Sequence, residues 1–415
     1  MNSIRLHTDK KNISAEISIS GSKSETNRLL VINSLYGNPV QLHNLSNSED
    51  TQFLEKALEA ESEMIDIHHA GTAMRFLTAY FSIQTEKEII LTGSERMKQR
   101  PIGVLVEALR SLGADISFVE KDGFPPLKIR GKKWEKDFVE LNADISSQFI
   151  TALMLIAPRL PNGLTLQLNG KITSFPYLNM TIQMLHQLGL RTDQNGNSIQ
   201  IFPAEKIEQQ EFTIESDWSS VSYFYAMAAL SESADLEINS YKTQSLQGDS
   251  AVAEIYGKYL GVETKFEGNQ IRLKKTRDFK AENFELDLND TPDIAQTIAV
   301  TCAGLKVKCK LSGLETLKVK ETDRLVALQN ELFKVGAISE ITESTLEIID
   351  FIHPEKTPLI KTYDDHRMAM SFATLAMVQD IEIENPEVVK KSYPDFWLDC
   401  EKAGIQSIKK PQDFS

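Results

Sequence analysis

Seven basic side chains, Lys23, Arg28, Arg100, Lys320, Arg324, Arg367 and Lys391, stand in or beside polar turns of this chain. The turns are GSKSETNR (21–28), MKQRPIG (97–103), VKETDR (319–324), YDDHRMAM (363–370) and KKSYPDF (390–396). The whole chain carries a formal charge of −14, which argues against a nucleic-acid or membrane surface as partner. Cations gathered from across an acidic chain point instead to a small, highly charged anion. His366, beside Arg367, could carry a proton, and Asp293, at a helix start in LNDTPDIA, could be a general base.

Each motif also has a plainer reading. In GSKSETNR, Ser22, Lys23 and Ser24 precede a helix; amide groups at a helix start, hydroxyls and a lysine make an anion site, but one serine can simply be the N-cap. SSQF offers Ser146, Ser147 and Gln148 as donors, or a capped helix entry. TSFPY (173–177) adds Ser174 and Tyr177 in a proline turn. In VKETDR, Lys320 and Arg324 are expected one helical turn apart on one face with Glu321 beside them; like charges there repel and suit a bound anion, against the alternative of a solvated face. His366 can carry a proton or only orient a neighbour, and Asp293 can be a general base or a helix cap.

The elements that position these residues recur. Six segments run from a polar turn into a helix rich in small apolar residues: 22–35, 70–81, 146–157, 217–230, 291–304 and 364–377. Their all-round apolar character predicts burial. Interleaved with them, a helix end, a glycine and a strand-like run recur at Gly113, Gly189, Gly261, Gly336 and Gly404, where glycine can take the left-handed conformation that ends a helix. Short strands are expected at 89–92, 126–130, 164–168, 198–202, 270–275 and 345–350, and a further one at 15–20. A repeat of about 70 residues is too long for a solenoid and fits six small α/β units, three per domain, with buried helices wrapped by sheets. A three-and-three division places a hinge near residues 215–218.

Other classes are set aside by absences. There is no GxxxxGK loop and no GxGxxG turn, and the adjacent His68 and His69 have no HxxxH partner, so no metal or cofactor is expected. Residues 1–20 hold no apolar core of signal-peptide length, and no stretch approaches the ~20 apolar residues of a membrane span. Three cysteines without a CxxC pair fit a reducing compartment, so a cytoplasmic protein is expected.

LTGSERMKQRPIGVLVEALRSLGA, GSKSETNR, AGTAMRF, SSQFITALM, VKETDRL, DDHRMAM and KSYPDF together resemble the 5-enolpyruvylshikimate-3-phosphate synthase family, in family order from Gly21 to Phe396. The resemblance implies an α/β, two-domain enolpyruvyl transferase fold, each domain three βαβαββ units forming an inside-out α/β barrel. It implies a first lobe at 22–215 on the shikimate 3-phosphate side, and a second lobe at 1–21 and 216–415 completing the phosphoenolpyruvate site. The implied reaction transfers an enolpyruvyl group from phosphoenolpyruvate to the 5-hydroxyl of shikimate 3-phosphate, without cofactor, in a monomer that closes on its ligands. The two substrates together bring about six negative charges.

By family position, Ser24 and Arg28 would hold the shikimate carboxylate, Ser146, Ser147 and Ser174 its phosphate, and Tyr177 its ring. Lys23, Gly71, Arg100, Gln148, Arg324, Arg367 and Lys391 would bind phosphoenolpyruvate. Asp293 would take the hydroxyl proton, helped by Lys320, while Glu321, Lys23 and Lys320 compete to protonate the methylene. His69, Phe76 and Thr316 depart from the commoner family residues, and the first two bear on the phosphoenolpyruvate pocket. The rivals are the sister transferase acting on UDP-N-acetylglucosamine, whose reactive cysteine lies in the first domain, and a catalytically silent metabolite sensor. All three cysteines here lie beyond residue 300, and Lys23, Asp293, Lys320, Glu321 and Arg367 are intact.

Overall fold

The computed structural model describes residues 2–85, 87–142, 146–170, 172, 174–276, 280, 282–354 and 356–409. The chain divides into two compact units, a first lobe of Gly21–Ile214 and a second lobe of Met1–Ser20 with Glu215–Ser415, one residue earlier than the expected boundaries. Thr173 of the TSFPY turn lies outside the described residues.

Strands β1 (Ser3–His7) and β2 (Asn12–Ile17) open the chain and belong to the second lobe. The first lobe runs α1 (Lys23–Leu35), β3 (Val40–His43), α2 (Glu49–Leu58), β4 (Met64–Asp66), α3 (Gly71–Ser82), β5 (Glu88–Thr92), α4 (Gly103–Leu112), β6 (Asp115–Phe118) and β7 (Leu127–Arg130). It continues with β8 (Phe138–Asn142), α5 (Ser147–Ile156), β9 (Leu164–Asn169), α6 (Phe175–Gln187), β10 (Thr192–Asn195), β11 (Ser198–Ile201) and β12 (Gln210–Thr213). The second lobe resumes with α7 (Trp218–Leu230), β13 (Ser233–Asn239), α8 (Val252–Ile255), β14 (Val262–Glu267), β15 (Gln270–Lys275), β16 (Phe284–Asp287), α9 (Ala295–Leu305) and β17 (Cys309–Ser312). Then follow α10 (Arg324–Lys334), β18 (Ala337–Ile341), β19 (Leu346–Phe351), β20 (Leu359–Ile360), α11 (His366–Ala373), β21 (Ile381–Glu384), α12 (Phe396–Lys402) and β22 (Gln406–Lys409).

One motif builds both lobes. In β4-α3-β5-α4-β6-β7 the first two strands pair in parallel across a helix and the last two form a hairpin, giving the sheet order β4-β5-β7-β6. The sheets β10-β11-β9-β8 and β16-β17-β19-β18 repeat that order. Two sheets of the second lobe are completed by the chain start: β2 pairs in parallel with β13, Asn12 opposite Ser233, and β1 lies antiparallel between β21 and β22. The strand expected at 15–20 therefore begins three residues earlier, at Asn12.

One expectation needs correction. The sheet that carries α1 and α2 has two described strands, β12 and β3 in parallel, so the first lobe does not contain three full βαβαββ units. After α2 ends at Leu58 the chain reaches β4 at Met64, which leaves no length for a hairpin. Among the described residues no ladder joins one of the three sheets of a lobe to the next, so the sheets surround the helices without closing into a continuous strand barrel.

Helices α1, α3 and α5 pack on one another in the first lobe, and α7, α9 and α11 do so in the second. Twelve of the thirteen residues of α7 are buried, as an all-round apolar helix must be. The sheets supply the matching face by alternation, with Leu164, Leu166 and Leu168 of β9, and Ile271 and Leu273 of β15, turned inward. All five repeated glycines have positive φ, from 72° to 122°. At Gly336 a β-carbon would also meet the Ile352 carbonyl oxygen at 2.4 Å.

Candidate active site

In the first lobe the candidate residues sit at helix starts. Ser22 caps α1, its hydroxyl accepting from the Glu25 amide at 3.5 Å, so Lys23 is the first helical residue. A buried hydroxyl chain then locks α2 against α1: Ser46 Oγ donates to Ser48 Oγ at 3.0 Å, Ser48 Oγ to Thr51 Oγ1 at 3.0 Å, and Thr51 Oγ1 to Asn27 Oδ1 at 2.8 Å. That lock brings the buried Asp50 carboxylate to Lys23, whose Nζ donates to Asp50 Oδ2 at 3.2 Å.

Arg28 ties the starts of α1 and α6 to α5. Its Nε donates to Thr181 Oγ1 at 2.9 Å, its Nη1 to the Ser24 carbonyl at 2.7 Å, and its Nη2 to Thr151 Oγ1 and the Tyr177 carbonyl, each at 3.4 Å. Four of its five N–H groups thus already face protein acceptors. Burial pulls its pKa down to about 10 against the opposing effect of Tyr177 and Glu25, which leaves it a cation at neutral pH. Ser174, at the N-cap position of α6, has left-handed backbone (φ 54°), and Ser146, at that of α5, makes no side-chain cap bond. The plainer reading of Ser146 as a cap therefore does not describe its hydroxyl.

The start of α3 forms a second cluster. Arg100 crosses it so closely that a β-carbon on Gly71 would lie 2.4 Å from its Nη1. Arg75 clamps the two segments, its Nη1 donating to the Gly71 carbonyl at 3.0 Å and its Nη2 to that of Pro101 at 3.4 Å. The buried Arg100 Nε has no acceptor among the described residues. Gln148 Nε2 donates to Thr72 Oγ1 at 3.2 Å and so joins α5 to α3.

The second lobe gathers Asp293, Lys320, Glu321, Arg324, Arg367 and Lys391 into one network. Asp293 lies in the turn Pro292–Ile294 before α9, and α9 carries no side-chain cap bond, so capping does not occupy its carboxylate. Oδ1 accepts from Arg324 Nη1 at 3.1 Å and lies 3.5 Å from Lys320 Nζ, while Oδ2 accepts from Arg367 Nη2 at 3.1 Å. Arg367 Nη1 donates to the Asp293 carbonyl at 3.0 Å. Glu321 accepts from Arg324 Nη2 at 2.8 Å on one oxygen and from Lys391 Nζ at 3.0 Å on the other.

Burial alone would raise the Asp293 pKa, but Arg367, Lys320 and Arg324 outweigh it and hold the carboxyl well below the usual carboxylate range. Burial would likewise lower Arg324, and Asp365, Glu321 and Asp293 outweigh it in turn. Lys320 and Arg324 do not share a helix face, contrary to expectation. Lys320 closes the short turn Glu315–Val319, and Asp323 starts α10 afresh by accepting from the amides of Leu325 and Val326. Asp293 sits between the two cations and relieves their repulsion.

The sequence reading missed several partners. Asp365 is fully buried; it accepts from Arg324 Nε at 2.7 Å and caps α11 through the Arg367 amide at 2.9 Å. Ser219 accepts from Arg367 Nη2 at 3.3 Å and donates to Asp249, which also accepts from Thr291 Oγ1 at 2.7 Å. Burial first, and then the Asp293 charge, push the Asp249 carboxyl up to about 6. Ser219 carried a signal: it stands at the start of the fourth buried helix, where the other copies place Lys23, Thr72, Gln148, Asp293 and Arg367.

In the second lobe, cations gathered at helix starts around the Asp293 carboxylate suit proton removal beside a polyanionic ligand. The fold agrees. EPSP synthase from Acinetobacter baumannii superimposes with a TM-score of 0.79 at 20% identity, covering 98% of this chain and 100% of that one. The enolpyruvyl transferase NikO from Streptomyces tendae gives 0.75 at 13% identity, covering 99% of each chain. The chain therefore has the two-domain enolpyruvyl transferase fold. The family model for EPSP synthase (3-phosphoshikimate 1-carboxyvinyltransferase) matches residues 53–399. A 3-phosphoshikimate 1-carboxyvinyltransferase of Bacteroides fragilis (strain YCH46) is 45% identical over 396 residues, 95% of this chain and 96% of that protein. The chain belongs to the EPSP synthase family.

Proposed function

We propose that the protein transfers the enolpyruvyl group of phosphoenolpyruvate to the 5-hydroxyl of shikimate 3-phosphate and releases phosphate. The observation that carries this reading is Asp293, a carboxylate held among Lys320, Arg324 and Arg367. Asp293 takes the hydroxyl proton as the oxygen adds to C2 of phosphoenolpyruvate and a proton is delivered to C3. The tetrahedral adduct then loses a C3 proton as its C2–O bond to phosphate breaks, which gives the enol ether.

Asp293 is a weak base while three cations face it. Substrate anions arriving on Arg367 and Lys320 offset those cations, so Asp293 becomes more basic as the site fills. Both oxygens of Glu321 accept from cations, so a proton placed there must first displace Arg324 or Lys391. That geometry favours Lys320 or Lys23 as the proton source for C3.

We assign Ser24 and Arg28 to the shikimate carboxylate, Ser146, Ser147 and Ser174 to its phosphate, and Tyr177 to its ring. Lys23, Gly71, Arg100, Gln148, Arg324, Arg367 and Lys391 are assigned to phosphoenolpyruvate. A cytoplasmic monomer is the form we assign. The three cysteines are buried thiols, and no helix among the described residues is long and apolar enough to cross a membrane.

Phosphate release with each substrate alone, with both, and with UDP-N-acetylglucosamine replacing shikimate 3-phosphate tests the reading. Release is expected only when shikimate 3-phosphate and phosphoenolpyruvate are present together, and it should survive EDTA. Full activity with the nucleotide sugar, or loss of activity to EDTA, refutes it.

A further inference from the structure

Asp50 has a second neighbour besides Lys23. The imidazole Nε2 of His69 lies 3.6 Å from Asp50 Oδ1 and 3.5 Å from Glu49 Oε2, beyond good hydrogen-bond length but within ion-pair reach. The Asp50 side chain is 4% exposed and that of His69 27%, so the pair is only partly screened by water. His69 Nδ1 lies 3.0 Å from His68 Nδ1, and Phe53 of α2 stands edge-on to the His69 ring. The His68 amide is itself held by Asp66 Oδ1 at 2.7 Å. Two residues beyond His69, Gly71 opens α3 beneath Arg100.

The charges around this point are Lys23 and Arg100 against Glu49 and Asp50, with the His68 and His69 imidazoles beside them. With His69 neutral, Asp50 draws on Lys23 for its counter-charge. With His69 protonated, the imidazolium faces both carboxylates, and Lys23 Nζ can turn to an incoming anion. We propose that His69 is a positioning residue for anion binding in the first lobe, coupling its own protonation to the release of Lys23 from Asp50. This inference rests on the assignment of phosphoenolpyruvate to Lys23 and Arg100 made above. It adds a pH dependence to that site, through a side chain that need not touch the substrate.

The sign follows from the geometry. Protonation adds one positive charge beside the anion site, so anion affinity rises as pH falls through the titration of His69. An unperturbed histidine titrates near pH 6.5, which sets the range to examine. Removing the imidazole should weaken phosphoenolpyruvate binding roughly fivefold at low pH, equivalent to about 1 kcal/mol, and hardly at all at high pH.

The first test measures the KM for phosphoenolpyruvate from pH 5.5 to 8.5 in the wild type, His69→Asn and His69→Gln. The substrate phosphate ionises near pH 6 in every profile and cancels in the ratio of variant to wild type. The expected KM ratio is near one at pH 8.5 and roughly fivefold at pH 5.5, with a ratio of kcat values that does not follow pH. A KM ratio independent of pH overturns the proposal. The second test needs neither turnover nor a stable variant. Linkage is reciprocal, so inorganic phosphate bound to the wild-type protein should raise the NMR titration midpoint of the His69 ring by about 0.7 pH. An unmoved midpoint at saturating phosphate also overturns it. If the wild type released no phosphate from the two substrates, the proposed reaction would fall while this second test still decided the role of His69.

Discussion

Asp293→Asn separates proton transfer from charge placement. The amide keeps the shape and can still accept from Arg324 through Oδ1, but its NH2 group then faces Arg367 Nη2, donor against donor. Arg324 retains Asp365 at 2.7 Å and Glu321 at 2.8 Å, so the arginine scaffold persists. The stability loss should stay near 1–2 kcal/mol, a shift of a few degrees in melting temperature. The chemical loss is larger, because a positioned base typically contributes about 10²–10⁴-fold. The variant also removes the anion that competes with substrate for Arg367 and Lys320, so the KM for phosphoenolpyruvate should hold or fall while kcat collapses. Steady-state phosphate release over both substrates, with melting curves as a fold control, reads all three quantities. Turnover within about threefold of wild type would show that Asp293 is not the base. A KM that rises as steeply as kcat falls would show that it serves only to order the arginines.

Three further outcomes follow from the same geometry. Arg367→Lys keeps the charge but loses the fork that holds the Asp293 carbonyl, the Asp293 carboxylate and Ser219, so kcat/KM should drop about 10²-fold, mostly through phosphoenolpyruvate. Loss of shikimate 3-phosphate binding instead, read by calorimetry, would contradict the assignment. Gly71→Ala places a methyl group 2.4 Å from Nη1 at the end of the Arg100 side chain, so the fold should keep its melting temperature while the KM for phosphoenolpyruvate rises at least about tenfold; an unchanged KM would remove Arg100 from the site. The folded-state pKa of Asp249 is raised to about 6, so its contribution to stability is full below the unfolded value near 3.8 and is lost as pH rises through 6. Asp249→Asn should therefore gain in melting temperature relative to wild type between pH 4 and 7, and a constant difference across that range would refute the shift.

The sequence exposed the skeleton because the skeleton is local. A strand such as Gln270–Lys275 and a helix stop such as Gly336 are set by alternation and by one residue's backbone freedom, and both stand where the pattern puts them. The two-stranded sheet of β3 and β12 was not legible, because its partner strand arrives from the far end of the lobe. The site divides in the same way. The cations announced themselves as basic residues in polar turns, and their helix starts follow from the repeat. Lys320 and Arg324 misled, because Asp323 between them is a capping residue that breaks the helix and a spacing of four then means nothing. Asp50 and Asp249 gave no signal, since each meets its partner only through folding: Asp50 reaches Lys23 through a hydroxyl lock, and Asp249 reaches Arg367 through Ser219.

Those carboxylates resolve a difficulty that the sequence raised. Four cations in the second lobe, Lys320, Arg324, Arg367 and Lys391, would repel one another strongly at low solvent exposure if only a substrate could neutralise them. Asp293, Glu321 and Asp365 serve as resident anions that relieve this repulsion and hold the donors in place. The arrangement also limits affinity, because an incoming phosphate or carboxylate must take donors away from these residents rather than meet bare charge. Of the three, Asp365 is fully buried and bound at 2.7 Å, so it stays with Arg324. The Asp293 side chain is 16% exposed and its carboxylate lies 3.1 to 3.5 Å from Lys320, Arg324 and Arg367, which makes it the carboxylate whose cations are most readily drawn away. Under the proposed assignment of Asp293 as base, the group that yields its partners to the substrate is also the one whose basicity must rise for reaction, so binding and base activation would be the same electrostatic event.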